Sequence, residues 1–168
     1  MPKIPDLVVL LPGISGSVLA KDGREIWGTT SGAIARAVLT RGDSIRELLM
    51  QGDDASLDDL DDGVTAPKLV PDLHIIPGLW KIDGYTKIAH RLVADLELKP
   101  GSNYVEFPYD WRRDNRVAAR RLATVAQERL HAWRRESGNP EAKLVFVAHL
   151  MGGLVARFFL EALVLLRQ

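Results

Sequence analysis

The sequence predicts an α/β fold, in which a parallel β-sheet is covered by helices on both faces. Two observations indicate it. The runs 7–11 and 144–148 are apolar without polar alternation, which is typical of strands buried on both faces of a parallel sheet. Strand and helix patterns also follow one another in the order strand, insertion, helix, strand, helix, strand, helix. The 168 residues suit one domain of ordinary size, so we expect a single domain spanning 1–168.

The first predicted strand, Asp6–Leu11, leads into a loop with two glycines, Pro12–Ser17. In this architecture ligands bind at loops that follow the carboxyl ends of parallel strands. The loop carries two hydroxyl side chains, Ser15 and Ser17, and no acid–base pair that would activate either of them is evident. We therefore expect a loop that contacts a ligand, with a plain turn as the alternative.

The segment 20–82 is expected to be an insertion over one face of the sheet, forming a lid or cap. Its patterns favour short helices at 31–40 and 44–51, while prolines between Val64 and Trp80 argue against a long helix. The stretch 52–63 holds six aspartates. An EF-hand loop counted back from Gly63 would have leucines, Leu60 and Leu69, at two ligand positions. We expect a solvated acidic loop here rather than a metal site.

Regular elements return after residue 83. An apolar stripe that includes Ile88 and Leu92 predicts a helix, and a strand is expected at 103–107. A helix over 115–135, a strand at 143–148 and a last helix at 151–168 follow. Basic side chains gather around the start of the second helix, and their helical spacing favours a solvated face over a nucleic-acid site: Arg113, Arg116, Arg120 and Arg121.

Composition argues against several classes of function. Twenty-two basic side chains balance 22 acidic ones, so long-range attraction to nucleic acid or to an anionic membrane is not expected. The absence of cysteine excludes disulfides, thiolate metal sites and a cysteine nucleophile. No apolar run approaches the roughly 20 residues that span a bilayer, and the run 7–11 is too short for the core of a signal peptide. We expect a cytoplasmic protein that uses no metal and no cofactor.

The strand 143–148 turns abruptly into an apolar helix, which is the frame of a nucleophile elbow, small-x-Ser-x-Gly. Small residues are needed two positions before and after the nucleophile, because the strand and helix backbones nearly touch there. Ala148 and Gly152 meet this requirement. The central position holds Leu150 instead of serine. A leucine side chain has no lone pair that could attack a carbonyl, so the frame of an acyl-transfer site is present without its nucleophile.

Three blocks of the sequence resemble the lecithin:cholesterol acyltransferase family of α/β-hydrolases: Leu10–Leu19, Phe107–Arg112 and Ala148–Val155, with Gly84-Tyr85 as a weaker fourth. The resemblance implies the N-terminal portion of an α/β-hydrolase fold and a serine-dependent lipid acyltransferase or esterase, with the nucleophile position at Leu150. It implies that the backbone N–H groups of Ile14 and Met151 form the oxyanion hole. It also implies that five residues support the elbow and the loop: Gly13, Ala148, His149, Gly152 and Gly153.

In that family the catalytic acid and histidine lie downstream of the elbow helix, and this sequence stops at Gln168 without them. We therefore expect a truncated member that does not catalyse. Two alternatives remain open. The chain could be a non-catalytic module that binds a lipid, an acyl ester or a protein, or half of a two-chain enzyme. The strand 143–148 would lack its next neighbour, so we expect self-association or a partner chain at this edge.

Overall fold

The computed structural model describes residues 4–28, 46–76, 80–82 and 84–164. The predicted helix 31–40 lies outside these residues, and so does the start of the predicted helix 44–51. The prediction of a helix up to residue 51 was wrong, because residues 47–51 form turns and irregular structure. The strands are β1 (Leu7–Leu11), β2 (Leu19–Lys21), β3 (Arg24–Trp27), β4 (Val64–Thr65), β5 (Leu73–Ile76), β6 (Trp80–Ile82), β7 (Tyr104–Glu106) and β8 (Leu144–Ala148). The helices are α1 (Thr86–Asp95), α2 (Asn115–Ser137) and α3 (Met151–Phe158), and a π-helix follows at Phe159–Val164.

The central sheet has the strand order β7–β1–β8, and both pairs are parallel. β1 thus lies between two strands that come later in the sequence, with Val9 opposite Val105 on one side and Phe146 on the other. All five residues of β1 are buried, which is why its sequence shows no polar alternation. The three predicted strands of this sheet and their parallel direction are confirmed.

Helices cover both faces of the sheet, as predicted. Successive side chains of a strand point to opposite faces, and β1 separates two apolar clusters in this way. Its odd-numbered residues, such as Val9, pack with Leu122 of α2 and Val155 of α3. Its even-numbered residues, such as Val8, pack with Ala89 of α1. The described chain therefore has mixed α/β content around a three-stranded parallel sheet.

The described chain between 19 and 82 contains five short antiparallel strands. β2 pairs with β3 and with β4, and β5 pairs with β6 in a hairpin. The first of these sheets has its own small core, in which Leu19, Ile26 and Ala66 pack with Trp27 and Trp111. The sequence did not indicate these strands, because segments of two to four residues are too short to display a period. A lid function for 20–82 stays a prediction.

Most residues of the acidic loop 52–63 are exposed, as predicted, but the loop is also fastened to the start of α2, which the sequence did not indicate. The Arg113 guanidinium donates to the Asp53 carboxylate and to the backbone carbonyl oxygens of Asp54, Leu57 and Asp58, at 2.8–3.1 Å. Its side chain is only 7% exposed. Arg120 pairs with Asp58 at 2.7 Å. Within the part of the chain that the structure describes, no cluster of histidine and acidic side chains could hold a metal ion.

The last helix differs from its prediction. α3 ends at Phe158 and a π-helix continues to Val164, while 165–168 lie outside the described residues. A segment that is apolar nearly all round has no stripe, so its sequence does not distinguish α-helical from π-helical winding. In the π-helix, the ring of Phe159 packs edge-on against Phe146 of β8 at 5.4 Å between centroids. None of the described helices combines the length and apolar composition that crossing a bilayer requires.

Candidate functional site at the turn between β8 and α3

The turn between β8 and α3 is closed by a hydrogen bond from the N–H of Gly152 to the carbonyl oxygen of His149, at 2.9 Å. Leu150, the second of the four residues in this turn, has φ 46° and ψ −114°. These angles match the first central position of a type II′ turn, which glycine normally occupies. A non-glycine residue held there is strained by roughly 1–3 kcal/mol. The central residue of the predicted elbow frame therefore has a positive φ.

Gly152 allows α3 to approach β1. A Cβ atom on Gly152 would lie 2.5 Å from the carbonyl oxygen of Pro12 and 3.0 Å from the Cβ of Leu11. Ala148, the other predicted small residue, stands opposite Leu11 in the sheet. At Gly153 a Cβ would meet nothing within 4 Å, so its contribution to the turn is the hydrogen bond from its N–H to the carbonyl oxygen of Leu150. The steric requirement for glycine lies at 152.

Four aromatic side chains hold the loop 12–17 in place. Trp27 and Trp111 donate their indole N–H groups to the carbonyl oxygens of Ser15 and Ser17, at 2.9 and 3.1 Å. The hydroxyl of Tyr109 donates to the carbonyl oxygen of Pro12 at 2.8 Å. The hydroxyl of the fourth, Tyr85, accepts the N–H of Gly13 at 2.7 Å. Tyr109, Trp111 and Tyr85 lie in the blocks that carry the family resemblance, but the sequence did not indicate that their side chains bond to this loop.

The two hydroxyl residues of the loop take part in its hydrogen bonds. Ser17 is fully buried, and its Oγ accepts the backbone N–H of Tyr109 at 3.0 Å. Ser15 adopts a positive φ of 59° and accepts the Trp27 bond through its backbone. Both residues therefore help to fix the path of the loop.

The loop and the turn adjoin at Gly13. A Cβ atom there would lie 3.3 Å from the Cβ of Leu150 and 3.1 Å from Nδ1 of His149. Both Ile14 and Leu150 are exposed, at 58% and 69%. Among the described residues, the N–H groups of Ile14 and Met151 have no hydrogen-bond partner. Their role as oxyanion donors stays a prediction, and both are on segments that meet at this point.

His149 interacts with the side chain of Tyr85, at 2.9 Å between Nδ1 and the phenol oxygen. Burial raises the pKa of Tyr85, so its hydroxyl keeps its proton at neutral pH. The other histidines with described side chains, His90 and His131, are exposed on α1 and α2. Of these three imidazoles, only that of His149 is therefore at the turn.

Two cavities lie near the sheet. The larger, about 940 Å³, is bounded by residues 58–67 and by α2, away from the turn. The smaller, about 330 Å³, adjoins the turn between α1 and the end of β8. Its walls are formed by the apolar side chains of Leu10, Ile88 and Val147 and by the polar side chains of Tyr85 and His149. The smaller cavity is thus the one in contact with the candidate site.

The comparisons with known proteins give one relative. No protein-family model matches the chain, and no solved structure matches it. The chain is similar to the uncharacterized protein YJR098C of Saccharomyces cerevisiae, with 30% identity over 156 residues. The match covers 92% of this chain but 20% of the yeast protein, so the chain spans about a fifth of the length of that relative.

Proposed function

We propose that this chain is an acyl-transfer scaffold of the lecithin:cholesterol acyltransferase type, built on the first part of an α/β-hydrolase fold, which binds lipid esters without turning them over. The observation that carries the proposal is Leu150. In the resemblance it falls on the position of the serine nucleophile, and its positive φ supports this assignment, with φ 46° and ψ −114°. A leucine would relax out of this conformation unless the surrounding structure imposed it.

The arrangement around Leu150 supports an ester-binding site. The loop after β1 meets the start of α3 at Gly13 and Leu150. N–H groups at the start of a helix favour negative charge, and a pair of such donors stabilises a carbonyl oxygen in acyl-transfer sites. Ile14 and Met151 would supply this pair. The exposed side chains of Ile14 and Leu150 add apolar surface next to it, which suits the alkyl part of an ester.

The same residues argue against turnover. Leu150 has no nucleophilic atom, and Nδ1 of His149 is already hydrogen-bonded to Tyr85. His90 and His131 stand on exposed helix positions rather than at the turn. A nucleophile, its base and the group that orients the base act as a unit. Restoring a serine alone would therefore leave its proton without an acceptor among His90, His131 and His149, the histidines whose side chains are described.

Two measurements test the proposal. We expect the 168-residue chain and its Leu150→Ser variant to hydrolyse p-nitrophenyl butyrate only at the background rate. We expect ethyl decanoate to shift the amide NMR signals of Ile14 and Met151. Two matched variants serve as the test and its control. Ile14→Pro removes the N–H donor and should weaken ester binding several-fold. Ile14→Ala keeps this N–H and should leave the binding unchanged. Saturable hydrolysis by the unmodified chain would overturn the proposal, as would unchanged binding in Ile14→Pro.

A further inference from the structure

The cavity of about 330 Å³ beside the turn has the composition of a small-ligand site. Its apolar walls come from three different elements, Leu10 of β1, Ile88 of α1 and Val147 of β8. None of the described side chains that line it is a carboxylate, an ammonium or a guanidinium. A site of this kind favours a mostly apolar ligand that is oriented by few polar groups.

The hydrogen bonds of Tyr85 determine which polar group the cavity offers. The N–H of Gly13 can only donate, so the phenol oxygen accepts that bond, at 2.7 Å. The phenol has one proton of its own, and we assign Nδ1 of His149, which lies 2.9 Å away, as the acceptor of that proton. Neutral His149 is therefore held as the tautomer with its proton on Nε2, as inferred from the hydrogen-bond network.

This network leaves one donor for a ligand. The hydroxyl of Tyr85 is fully used, while the imidazole of His149 is exposed, and the Tyr85 bond leaves its Nε2–H available. The matching ligand group is a neutral acceptor, because none of the described side chains that line the cavity is a cation that could balance a carboxylate. A volume of about 330 Å³ lies at the small end of the range for ligand pockets, about 300–1,000 Å³, which suits a small ligand.

We propose that this cavity binds a small neutral ester, whose carbonyl oxygen accepts the Nε2–H of His149, and that Tyr85 is the positioning residue that fixes this tautomer. The inference rests on the proposed function for the acyl character of the ligand and adds a second contact region, on the α1 side of the turn. Its determinants, His149 and Tyr85, are separate from the donor pair of Ile14 and Met151.

The experiment is an NMR titration of the full chain with ethyl hexanoate, with sodium hexanoate as the charged counterpart. We expect the ester to shift the signals of Ile88 and Val147 and to bind at least several-fold more tightly than the carboxylate. His149→Phe should weaken ester binding about 3- to 10-fold, the range for one net hydrogen bond. The matched control is His131→Phe, which removes an exposed imidazole from α2 and should leave the affinity unchanged.

A separate measurement, of the protonation of the two His149 nitrogens, tests the role of Tyr85. In the unmodified chain, the ¹⁵N signals of His149 should show a protonated Nε2 and an unprotonated, hydrogen-bonded Nδ1. Tyr85→Phe should mix the two tautomers and weaken ester binding about 2- to 5-fold, while Tyr104→Phe, which removes a hydroxyl bonded to Glu106, should do neither. Because the tautomer is measured in the unmodified chain, this test holds even if Tyr85→Phe fails to fold.

Three results would overturn the inference. They are unchanged ester affinity in His149→Phe, a protonated Nδ1 in the unmodified chain, and shifts at Ile14 and Met151 without shifts at Ile88 and Val147. The last result would leave the proposed function intact, because it places the ester at the donor pair alone. Conversely, shifts at Ile88 and Val147 that persist in Ile14→Pro would support the cavity independently of the donor pair.

Discussion

Gly152 lies so close to Pro12 that a Cβ atom on the glycine would fall 2.5 Å from the proline carbonyl oxygen. The two residues belong to different segments, the first turn of α3 and the loop that follows β1. Backbone atoms form this contact, so the approach cannot be relieved by a side chain changing its rotamer. The position of α3 over the sheet therefore depends on the absence of a side chain at residue 152.

We predict that Gly152→Ala lowers the free energy of unfolding by about 2 kcal/mol, the usual cost of overpacking a well-packed contact. Gly153→Ala is the matched control. A Cβ at 153 meets nothing within 4 Å, and alanine in a helix is favoured over glycine by roughly 0.5–1 kcal/mol, so this variant should be slightly more stable. Urea unfolding measures both, and equal stabilities of the two variants would contradict the close approach.

A second prediction compares glycine substitutions at two exposed leucines, and the first of these is Leu150. Replacing it with glycine removes the strain of a positive φ, which is roughly 1–3 kcal/mol. The greater conformational entropy of glycine in the unfolded chain offsets roughly 0.5–1 kcal/mol of this gain in stability. The side chain is 69% exposed, so little burial is lost. We therefore expect Leu150→Gly to raise the free energy of unfolding by about 1 kcal/mol.

The control for this substitution is Leu154→Gly. Leu154 is also exposed, at 58%, but it lies inside α3, where glycine costs about 1 kcal/mol relative to a good helix former. The two variants should thus shift the thermal midpoint in opposite directions. A loss of stability in Leu150→Gly as large as that in Leu154→Gly would show that residue 150 is not strained.

The sequence predicted the parts of this molecule that are dictated by local pattern. β1 reads as five consecutive apolar residues because both of its faces are covered. The turn at Leu150 was predicted because Ala148 and Gly152 meet a steric requirement that is stated in sequence spacing. The strands β2, β3 and β4 were missed because none is longer than four residues, and short strands form through partners distant in the sequence.

The contact between the acidic loop and α2 could not be predicted for the same reason. Arg113 and Asp53 are separated by 60 positions in the sequence. Each charged run, examined separately, has the composition of a solvated segment. The hydrogen bonds that hold the loop 12–17 also join residues that are distant in the sequence. Their partners are Tyr85, Tyr109, Trp27 and Trp111. The outline of the candidate site was thus predictable from the sequence, and the side chains that hold it in place were not.

The start of α2 predicts a specific pH dependence. Asp114 is the N-cap of this helix, and hydrogen bonds from the side chain and the backbone N–H of Arg116 lower the pKa of Asp114 to about 2. The unfolded chain therefore takes up this proton at a higher pH than the folded chain does. The stabilisation from the ionised carboxylate is complete above pH 4 and is lost as the pH falls toward 2.

We expect Asp114→Asn, which keeps a capping oxygen, to be less stable than the unmodified chain at pH 7, by an amount that shrinks as the pH falls from 4 to 2. Asp114→Ala should lose about 1 kcal/mol in addition because the cap itself is removed. Urea unfolding at a series of pH values measures both, with the exposed helix position Glu128→Gln as the control for a change of charge. A difference between the unmodified chain and Asp114→Asn that is constant with pH would contradict the role of Asp114.

The last prediction concerns the outer edge of β8, the edge that does not pair with β1. In the part of the chain that the structure describes, β8 pairs only with β1. The N–H of Leu7 donates to the carbonyl oxygen of Lys143, and the N–H of His149 donates to that of Leu11. Because a parallel pair alternates its hydrogen bonds, the odd-numbered residues of β8 direct their N–H groups to β1. The N–H groups of residues 144, 146 and 148 therefore point away from the sheet.

β8 is the less protected of the two edges of the described sheet. It is five residues long and uncharged, whereas β7 has three residues and ends in Glu106. Proteins protect such edges with charge, bulges or a covering segment, and an unprotected edge pairs with another chain. We therefore predict that the isolated chain self-associates at micromolar concentration through β8, which light scattering after size exclusion would detect.

Proline substitution tests whether the association uses this edge. Ala148→Pro removes an outward N–H and places a ring where a second strand would pair, while the bonds to β1 are kept, so the variant should stay folded and shift toward the monomer. Val147→Pro removes an N–H that faces β1 and should destabilise the sheet instead, by about 3 kcal/mol or more. Two results would contradict this prediction. The first is that the unmodified chain is a cooperatively unfolding monomer at every concentration. The second is that Ala148→Pro associates as strongly as the unmodified chain, which would show that the edge of β8 is not the contact.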